Sequence, residues 1–218
     1  MFLPFKINRS ITLACLLMLS LNSQMVQAWE LQTPQNEASV KVWTQSEQGT
    51  NFKAFRGEVI INAPLDQVVS VIRDTPNVPQ WYYKSKLAKQ LKRLNDHQSL
   101  NYSVTDLPWP VSDRDLVILA TVSNDSDGGV TIQMRAQPDA YPPQIGLIRV
   151  PRLEGFWKLQ PQHSDTSQPS VKVTLQISTE PGGDIPSWLV NAMVVDMPFN
   201  SLKNLKERVE NLVENQVN

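Results

Sequence analysis

The sequence predicts an α+β domain in which one long C-terminal helix packs on one face of a curved antiparallel sheet. Two patterns lead to this fold class. Most of the chain alternates apolar and polar residues in short segments separated by polar turns, which is the period of half-buried strands. The end of the chain instead carries apolar residues three or four positions apart over roughly thirty residues, the period of one amphipathic helix. A sheet covered by a helix on one face is a two-layer arrangement.

The elements follow from alternation, helical spacing and turn signals. After the strands Ser39–Gln45 and Phe52–Asn62, apolar residues at helical spacing in Leu65–Arg73 predict a short helix. Further strands are predicted at Ala88–Leu94, Ser99–Thr105, Leu116–Ser123, Val130–Arg135, Gly155–Gln160 and Val171–Thr179. The Gly-rich stretch Asn124–Gly129 favours a hairpin turn. The segment Pro138–Pro151, with four prolines, is predicted to be a packed loop, because proline donates no hydrogen bond to an inner ladder.

Composition limits the class of protein. The chain has 218 residues, of which 41% are hydrophobic and 19% charged, with a net charge of −1. This is the composition of one globular domain rather than a disordered chain. The near-neutral charge argues against a generally basic nucleic-acid binder, so no nucleic-acid partner is expected. A single cysteine excludes Cys-rich zinc modules, iron–sulfur clusters and intrachain disulfides.

The N-terminus has the parts of a secretory signal peptide. Lys6 and Arg9 precede an apolar run of about eleven residues, and small side chains stand at the end of the following polar stretch, which closes with Ala28. We therefore expect residues 1–28 to be cleaved and 29–218 to form a single exported domain, periplasmic or secreted. The alternatives are a buried N-terminal helix and, less favoured, a lipoprotein modified at Cys15. The predicted mature chain contains no cysteine, which suits an oxidising compartment.

Five stretches resemble a known family. They are Phe52–Glu58, Ile61–Asp66, Leu107–Leu116, Gly155–Trp157 and Glu180–Leu189. In this order, and spread over most of the predicted mature chain, they are similar to the START (steroidogenic acute regulatory protein-related lipid transfer) domain. The resemblance implies a helix-grip fold, with the curved antiparallel sheet wrapped around the C-terminal helix and an internal hydrophobic cavity that holds one lipid. It also implies a carrier or sensor rather than an enzyme.

One stretch departs from the family. In sterol-carrying relatives the strand after the Arg-Asp pair places a basic residue in the cavity, whereas Leu116–Ala120 is wholly apolar here. This departure argues against a sterol or a buried charged headgroup and leaves the ligand open.

The sequence contains few candidates for catalytic or metal-binding residues. The two histidines, His97 and His163, lie in polar turns without an apolar wall that would shift their protonation. They also lack the close spacing of metal ligands, and no Gly-rich phosphate-binding loop is present. The sequence therefore predicts no catalytic residue, no metal and no cofactor.

The candidate ligand-binding residues are large apolar side chains near loops or on the last helix. They are Trp81, Trp109, Leu119, Met134, Ile145, Leu147, Trp188, Ala192, Met193 and Phe199. For each of them, ordinary core packing is the alternative. The 138–151 loop, opposite the start of the last helix, is predicted to gate the cavity. The mixed side chains of 188–199 predict a cavity wall, and the regular aliphatic stripe from Leu202 to Leu212 predicts solid core.

Two charged groups have two interpretations each. Arg114, between Asp113 and Asp115, either grips a ligand headgroup at the cavity mouth or forms an intrachain ion pair, and the second is favoured. The basic residues of 84–93 either contact an anionic membrane or form a solvated strand face, and again the second is favoured. Transient membrane contact is thus an expectation.

The sequence as a whole predicts a non-catalytic protein that binds and transports a lipid or another hydrophobic small molecule. Two alternatives stay open: a cyclase or aromatase-like enzyme of the same superfold, and an interaction module with a filled interior.

Overall fold

The computed structural model describes residues 28–33, 39–162 and 168–217. The predicted signal peptide up to residue 27 lies outside these residues, as does the turn at 163–167. Ten strands are described: β1 (Glu30–Leu31), β2 (Val40–Ser46), β3 (Lys53–Ile61), β4 (Ser85–Arg93), β5 (Gln98–Thr105), β6 (Arg114–Asn124), β7 (Val130–Ala136), β8 (Ile148–Arg149), β9 (Arg152–Gln162) and β10 (Ser170–Glu180). The helices are α1 (Leu65–Arg73) and α2 (Ser187–Val217), with short 3-10 helices at Thr75–Gln80 and Pro138–Ala140.

One sheet contains all ten strands. Its order is β1-β2-β3-β10-β9-β7-β6-β5-β4, and β8 pairs with β6 outside this path. Neighbours on the main path are antiparallel, whereas the two-residue strand β8 runs parallel to β6. The predicted α+β class and the helix-grip arrangement are confirmed. The pairing of β3 with β10 joins the two ends of the domain and brings the start of the chain beside the last strand.

The second half of α2 packs tightly on the sheet at Gly57. A Cβ atom added at Gly57 would lie 2.5 Å from Leu202 Cδ1 and 3.2 Å from Pro198 Cβ, so any larger residue here would force the Leu202 side chain to shift. Leu202, Leu205 and Val209 are fully buried at this contact. The aliphatic stripe of α2 is therefore core, as the sequence predicts.

The 138–151 segment packs on the outer side of the sheet. Tyr141 and Leu147 contact a small apolar cluster formed by Tyr102, Val104 and Val117. These strand residues face away from α2, so the segment covers the back of β5 and β6. Within the described part of the chain, no helix is long and apolar enough to cross a membrane.

Candidate ligand cavity

A cavity of about 920 Å³ lies between the sheet and the helices, a volume at the upper end of small-molecule pockets. Its walls come from the inner face of the sheet, from α1 and the 3-10 helix after it, and from the first half of α2.

The inner face can be followed strand by strand through the register. Phe55 of β3 pairs with Ile177, Ile177 with Gly155, and Gly155 with Met134. Met134 in turn pairs with Ala120 of β6, and Ala120 with Ser99 of β5. Residues paired directly across a sheet share one face, and alternate residues along a strand return to it. This face therefore continues from the α2 contact at β3 to the far strands.

Most of the inner face is apolar. In β6 the even-numbered residues from Arg114 to Val122 line the cavity, and most of the residues in register with them on β5 and β7 do so. The aliphatic, Phe, Trp and Met strand residues of the lining are Phe55, Ala88, Leu116, Ile118, Ala120, Val122, Val130, Ile132, Met134, Leu153, Trp157 and Ile177. The wholly apolar stretch Leu116–Ala120 thus contributes three residues to the cavity wall, and none of them carries a charge.

Opposite the sheet, α1 and an aromatic group close the cavity. Leu65, Val69 and Ile72 of α1 belong to the lining. Trp81 is 3% exposed and meets the rings of Tyr82 and Trp157 edge-on, at centroid distances of 5.7 and 5.9 Å. Asn204 of α2 donates a hydrogen bond to the Trp81 carbonyl, 3.0 Å long, which holds this turn against the helix. Burial raises the pKa of Tyr82 to about 12.

Strand β5 presents a polar row to the same cavity. Ser99, Asn101, Ser103 and Thr105 all line it. Between them, Tyr102 and Val104 belong to the outer apolar cluster, and Tyr102 also borders the cavity. Asn101 donates a 3.0 Å hydrogen bond to Ser99 Oγ and accepts one of 3.4 Å from the Thr75 hydroxyl. The cavity is thus apolar along β6 and polar along β5.

Arg114 is buried at the end of the cavity where α2 begins. Its guanidinium donates hydrogen bonds to the carbonyls of Ser112, Pro181 and Gly182, at 2.5, 3.3 and 2.8 Å. Desolvation lowers the pKa of this guanidinium. The side chain therefore ties β6 to the loop before α2. Arg114 thus has a structural role, but its partners are backbone carbonyls rather than the carboxylate of the favoured intrachain ion pair.

The two flanking aspartates have their own partners. Asp115 is 1% exposed and receives two hydrogen bonds from Arg149, of 2.8 and 2.9 Å. Asp113 lies 2.8 Å from Lys86 and accepts a hydrogen bond from the Leu107 amide. The Lys86 contact, followed by that amide, lowers the pKa of Asp113. This acidic pair therefore organises loops and leaves no carboxylate directed at the cavity.

Four of the predicted site residues come together in the lining: Trp81, Met134, Met193 and Arg114. Met193 and Met197 belong to the first half of α2, the part predicted to be a cavity wall. The side chains of Trp188 and Ala192 lie outside the described residues. Whether any of these residues contacts a ligand stays a prediction.

Five predicted lining residues lie elsewhere, and their place in the lining was predicted wrongly. Leu119 points to the opposite face, because it alternates with Ile118 and Ala120. Phe199 packs on the main core. Trp109 is 92% exposed, and Ile145 is fully exposed. Leu147 joins the outer apolar cluster.

The 138–151 segment, which was predicted to gate the cavity, is held to the rest of the domain by hydrogen bonds and apolar packing. Arg149, within the 138–151 segment, binds Asp115 and donates hydrogen bonds to the carbonyls of Pro138 and Tyr141. Together with the packing of Tyr141 and Leu147 on the outer cluster, these bonds place most of the segment behind the sheet. The exception is Val150, which lines the cavity.

The basic run on β4 is largely engaged with neighbours. Lys86 forms ion pairs with Asp106 and Asp113, 2.9 and 2.8 Å long. Lys89 lies over the rings of Tyr102 and Tyr141, and Arg93 pairs with Asp96. These contacts suit the interpretation as a strand face. Among the described residues no group of three or more His, Cys, Asp or Glu side chains is placed to hold a metal ion.

Sequence reasoning missed the polar row of β5. Its signal was present as Ser, Asn, Ser and Thr alternating with Leu, Tyr and Val in 99–105. Polar residues of an alternating strand are ordinarily assigned to the solvent side. Here the apolar side is covered by Tyr141 and Leu147, which leaves the polar side to face the cavity.

The chain is similar to proteins of one family along nearly its whole length. The family model described as START domain matches residues 10–215. An uncharacterized protein of Pseudomonas aeruginosa is 40% identical over 186 residues, covering 85% of this chain and 89% of that protein. The phosphatidylcholine transfer protein of Bos taurus is 27% identical over 192 residues, covering 84% and 85%.

Among solved structures, the StAR-related lipid transfer protein of Xanthomonas axonopodis has a TM-score of 0.74 and 37% identity. The match covers 83% of this chain and 98% of that one.

Proposed function

The chain belongs to the START domain family, and on this basis we propose that it is a non-catalytic carrier which binds one lipid, or another hydrophobic small molecule, in its cavity. The observation that carries the proposal is the 920 Å³ cavity walled by the apolar residues of β6, β7 and β9. Each methylene transferred from water into such a wall contributes ~0.8 kcal/mol. A dozen methylenes therefore supply ~10 kcal/mol, from which the costs of association and ordering are subtracted.

The relatives support transfer rather than catalysis. The Xanthomonas axonopodis and Bos taurus proteins are both named as lipid transfer proteins. The wall contributed by Leu116, Ile118 and Ala120 favours a ligand whose buried part is uncharged.

Ligand entry is proposed at the end of the cavity next to Arg114. A shallower recess of about 580 Å³ lies beside it, and both Arg114 and Ile185 line the two spaces. The loop that carries Trp109 borders this recess through Pro110 and Val111. Separation of this loop from the loop before α2 would join the recess to the cavity.

Transient membrane contact is proposed at the same end. Trp109 and Ile145 are both highly exposed, and tryptophan is favoured where apolar and wet surroundings meet. Their loops are connected, since the Ile148 amide donates a hydrogen bond to the Asp113 carbonyl. Trp109→Ser and Ile145→Ser should each weaken co-sedimentation with vesicles, whereas Leu87→Ser, at an exposed position on β4, should not. Equal binding by all three variants would contradict the proposed contact.

Export is proposed from the signal-peptide pattern, with Trp29 as the first residue of the mature chain. Trp29 contacts the folded domain, since the Arg56 guanidinium lies 4.9 Å from the centroid of its ring in a cation–π contact. N-terminal sequencing of the protein from a periplasmic fraction should begin at Trp29. An intact N-terminus on a cytoplasmic product would refute export.

Native mass spectrometry tests the carrier function. Protein purified from its own host should carry one lipid per chain, and after extraction of that lipid it should take up another from vesicles. A chain that carries no adduct and takes up none would contradict the proposal and favour an interaction module. A ligand that is chemically converted during incubation would favour an enzyme of the same superfold.

A further inference from the structure

The Arg114 guanidinium is a buried positive charge without a counter-ion among the described residues. Arg114 is 3% exposed, and its three hydrogen bonds all go to backbone carbonyls. Neither neighbouring carboxylate neutralises it, because Asp113 pairs with Lys86 and Asp115 with Arg149. Carbonyl dipoles compensate part of the free energy lost on burying a charge, and an opposite charge compensates more. An anion supplied by a ligand would complete this site.

The guanidinium also has donors left over. It carries five N–H groups, of which three are used, one each on Nε, Nη1 and Nη2. One N–H on each terminal nitrogen therefore has no hydrogen bond within the described part of the chain. A planar guanidinium with two such donors is suited to the oxygens of a carboxylate or a phosphate.

The same end of the cavity contains free hydroxyls and borders the recess. Thr105 pairs with Arg114 across β5 and β6, and Ser103 pairs with Leu116. The side chains of Ser103 and Thr105 line the cavity and form no hydrogen bond with another described residue. Arg114 and Ile185 line both the cavity and the recess. A headgroup held here would face the recess, while its alkyl chain extended along the apolar wall.

The other arginines of the lining lie at the opposite end. Arg93 pairs with Ser99 on β5, which is six residues and about 20 Å from Thr105. Its guanidinium forms an ion pair with the Asp96 carboxylate, and Arg73 donates a hydrogen bond to the Asp96 carbonyl. Both side chains are exposed, so neither is a buried charge in need of a partner.

The acidic residues that line the cavity and the recess leave Arg114 unneutralised. Asp66 lies in the first turn of α1 and Asp74 directly follows this helix, and both are exposed. Asp184 borders the recess, but it too is exposed and forms no ion pair with Arg114. Its repulsion of a bound anion is screened by solvent and salt. The charge of Arg114 is therefore available to a ligand.

From this end of the cavity we infer that the ligand is an acidic amphiphile whose carboxylate or phosphate is bound by Arg114, with Ser103 and Thr105 as further donors. This inference rests on the proposed function. It agrees with the uncharged wall of Leu116–Ala120, because the anion stays at the end of the cavity next to the recess. An amphiphile that enters through the recess with its alkyl chain first would leave its headgroup there.

Three probes with the same fourteen-carbon chain provide the test: the carboxylate, the phosphate monoester and the alcohol. Their affinities are measured by calorimetry at about pH 8, where both acids are ionised. The wild-type protein should bind at least one anion about tenfold or more tightly than the alcohol, the equivalent of a charge-assisted hydrogen bond. The order of the two anions distinguishes a carboxylate ligand from a phosphate. Without an available cation the alcohol would bind best, since an anion loses more hydration.

Two variants with the same change assign the preference to Arg114. Arg114→Gln removes the positive charge, so it should lose the preference for the anion, while its affinity for the alcohol changes by less than about threefold. Arg135→Gln is the matched control, because Arg135 is exposed on β7 and lies outside the lining. This control should keep the preference.

A third variant tests the site without disturbing its hydrogen bonds. Arg114→Gln also removes donors from three carbonyls and lowers stability, whereas Thr105→Val removes a hydroxyl that has no partner among the described residues. Thr105→Val should therefore unfold at the same temperature as the wild-type protein and reduce the preference for the anion about two- to fivefold. Its result decides the assignment even where Arg114→Gln is not obtained folded.

Four results would overturn the inference. A wild-type protein that binds the alcohol as tightly as both anions would leave the carrier function intact and refute an acidic ligand. A full preference for the anion in folded Arg114→Gln, or in Thr105→Val, would refute the assigned site. Loss of the preference in Arg93→Gln alone would place the headgroup at the opposite end. Failure of the wild-type protein to bind any probe would count against the proposed function and the inference together.

Discussion

Asp115 and Arg149 form a buried ion pair behind the cavity. Their side chains are 1% and 14% exposed, and Arg149 also holds the backbone of the 138–142 turn. Replacement of one buried partner leaves the other charge unpaired, so Asp115→Asn should lower the free energy of unfolding by about 3–5 kcal/mol. Asp106→Asn removes a carboxylate from an exposed pair and should cost at most ~1 kcal/mol. Urea unfolding of both variants checks this, and equal losses would contradict it.

Tyr82 and Tyr102 predict a loss of stability at alkaline pH. Burial raises the pKa of Tyr82 to about 12, and burial, followed by the charge of Asp115, raises that of Tyr102 to about 12. In the unfolded chain a tyrosine ionises near pH 10. The unfolded state therefore binds fewer protons between about pH 10 and 12, and the free energy of unfolding falls as the pH rises through this window.

Tyr82→Phe and Tyr102→Phe remove these groups, so the double variant should lose less stability between about pH 9 and 11.5 than the wild-type protein. Unfolding by urea at the two pH values measures the difference. The same loss in both proteins would show that these tyrosines do not carry the alkaline transition.

The long helix α2 has two functions along its length. Met193 and Met197 line the cavity, while Leu205 is fully buried against the sheet. Leu205→Ala should therefore lower the free energy of unfolding by ~2–5 kcal/mol and leave lipid binding intact in the folded fraction. Met193→Trp should do the reverse, since it occupies space otherwise open to a ligand. Thermal unfolding and lipid uptake of both variants test this asymmetry, and a Met193→Trp protein that binds lipid normally would contradict it.

The proline-rich segment behind β5 and β6 should be structural rather than a gate. Leu147 packs on the outer cluster, whereas Ile145, two residues away, is fully exposed. Leu147→Ala should lower the free energy of unfolding by about 2 kcal/mol, and Ile145→Ala should change it by less than ~0.5 kcal/mol. Comparable values from urea unfolding would mean that the segment is not anchored through Leu147.

Most elements were predictable because each has a local period. Helix α1 lies at the predicted Leu65–Arg73, and β10 extends the predicted Val171–Thr179 by one residue at each end. The direction in which a strand faces was less predictable, because it depends on distant residues. The alternation of β6 predicts that Leu119 and Val117 lie on the same face of the sheet. That this face is the outer one follows only from the packing of Tyr141 and Leu147, which come later in the sequence. Strand β8 has only two residues, too few to show an alternating pattern, and it is defined by its pairing with β6.

The cavity results from how one helix covers a wide sheet. The second half of α2 packs on β3 at Gly57 and fills the space over that part of the sheet. Strands β4 to β7 extend beyond this contact, and α1 and the Trp81 turn cover them without filling the interior. The family resemblance predicted a sheet wrapped around the C-terminal helix with a hydrophobic cavity. It did not predict that the cavity wall formed by β5 is polar.

Lipid uptake by two neighbouring variants of β6 tests the central claim most directly. Ala120 lies on the cavity wall, and Leu119 faces the other side of the sheet. Both are changed to phenylalanine, and the amount of lipid bound per chain is measured by native mass spectrometry after exposure to vesicles. The carrier account predicts that Ala120→Phe loses at least about tenfold in lipid affinity, whereas Leu119→Phe binds like the wild-type protein. Undiminished binding by a folded Ala120→Phe protein would contradict a ligand site between β6 and the helices.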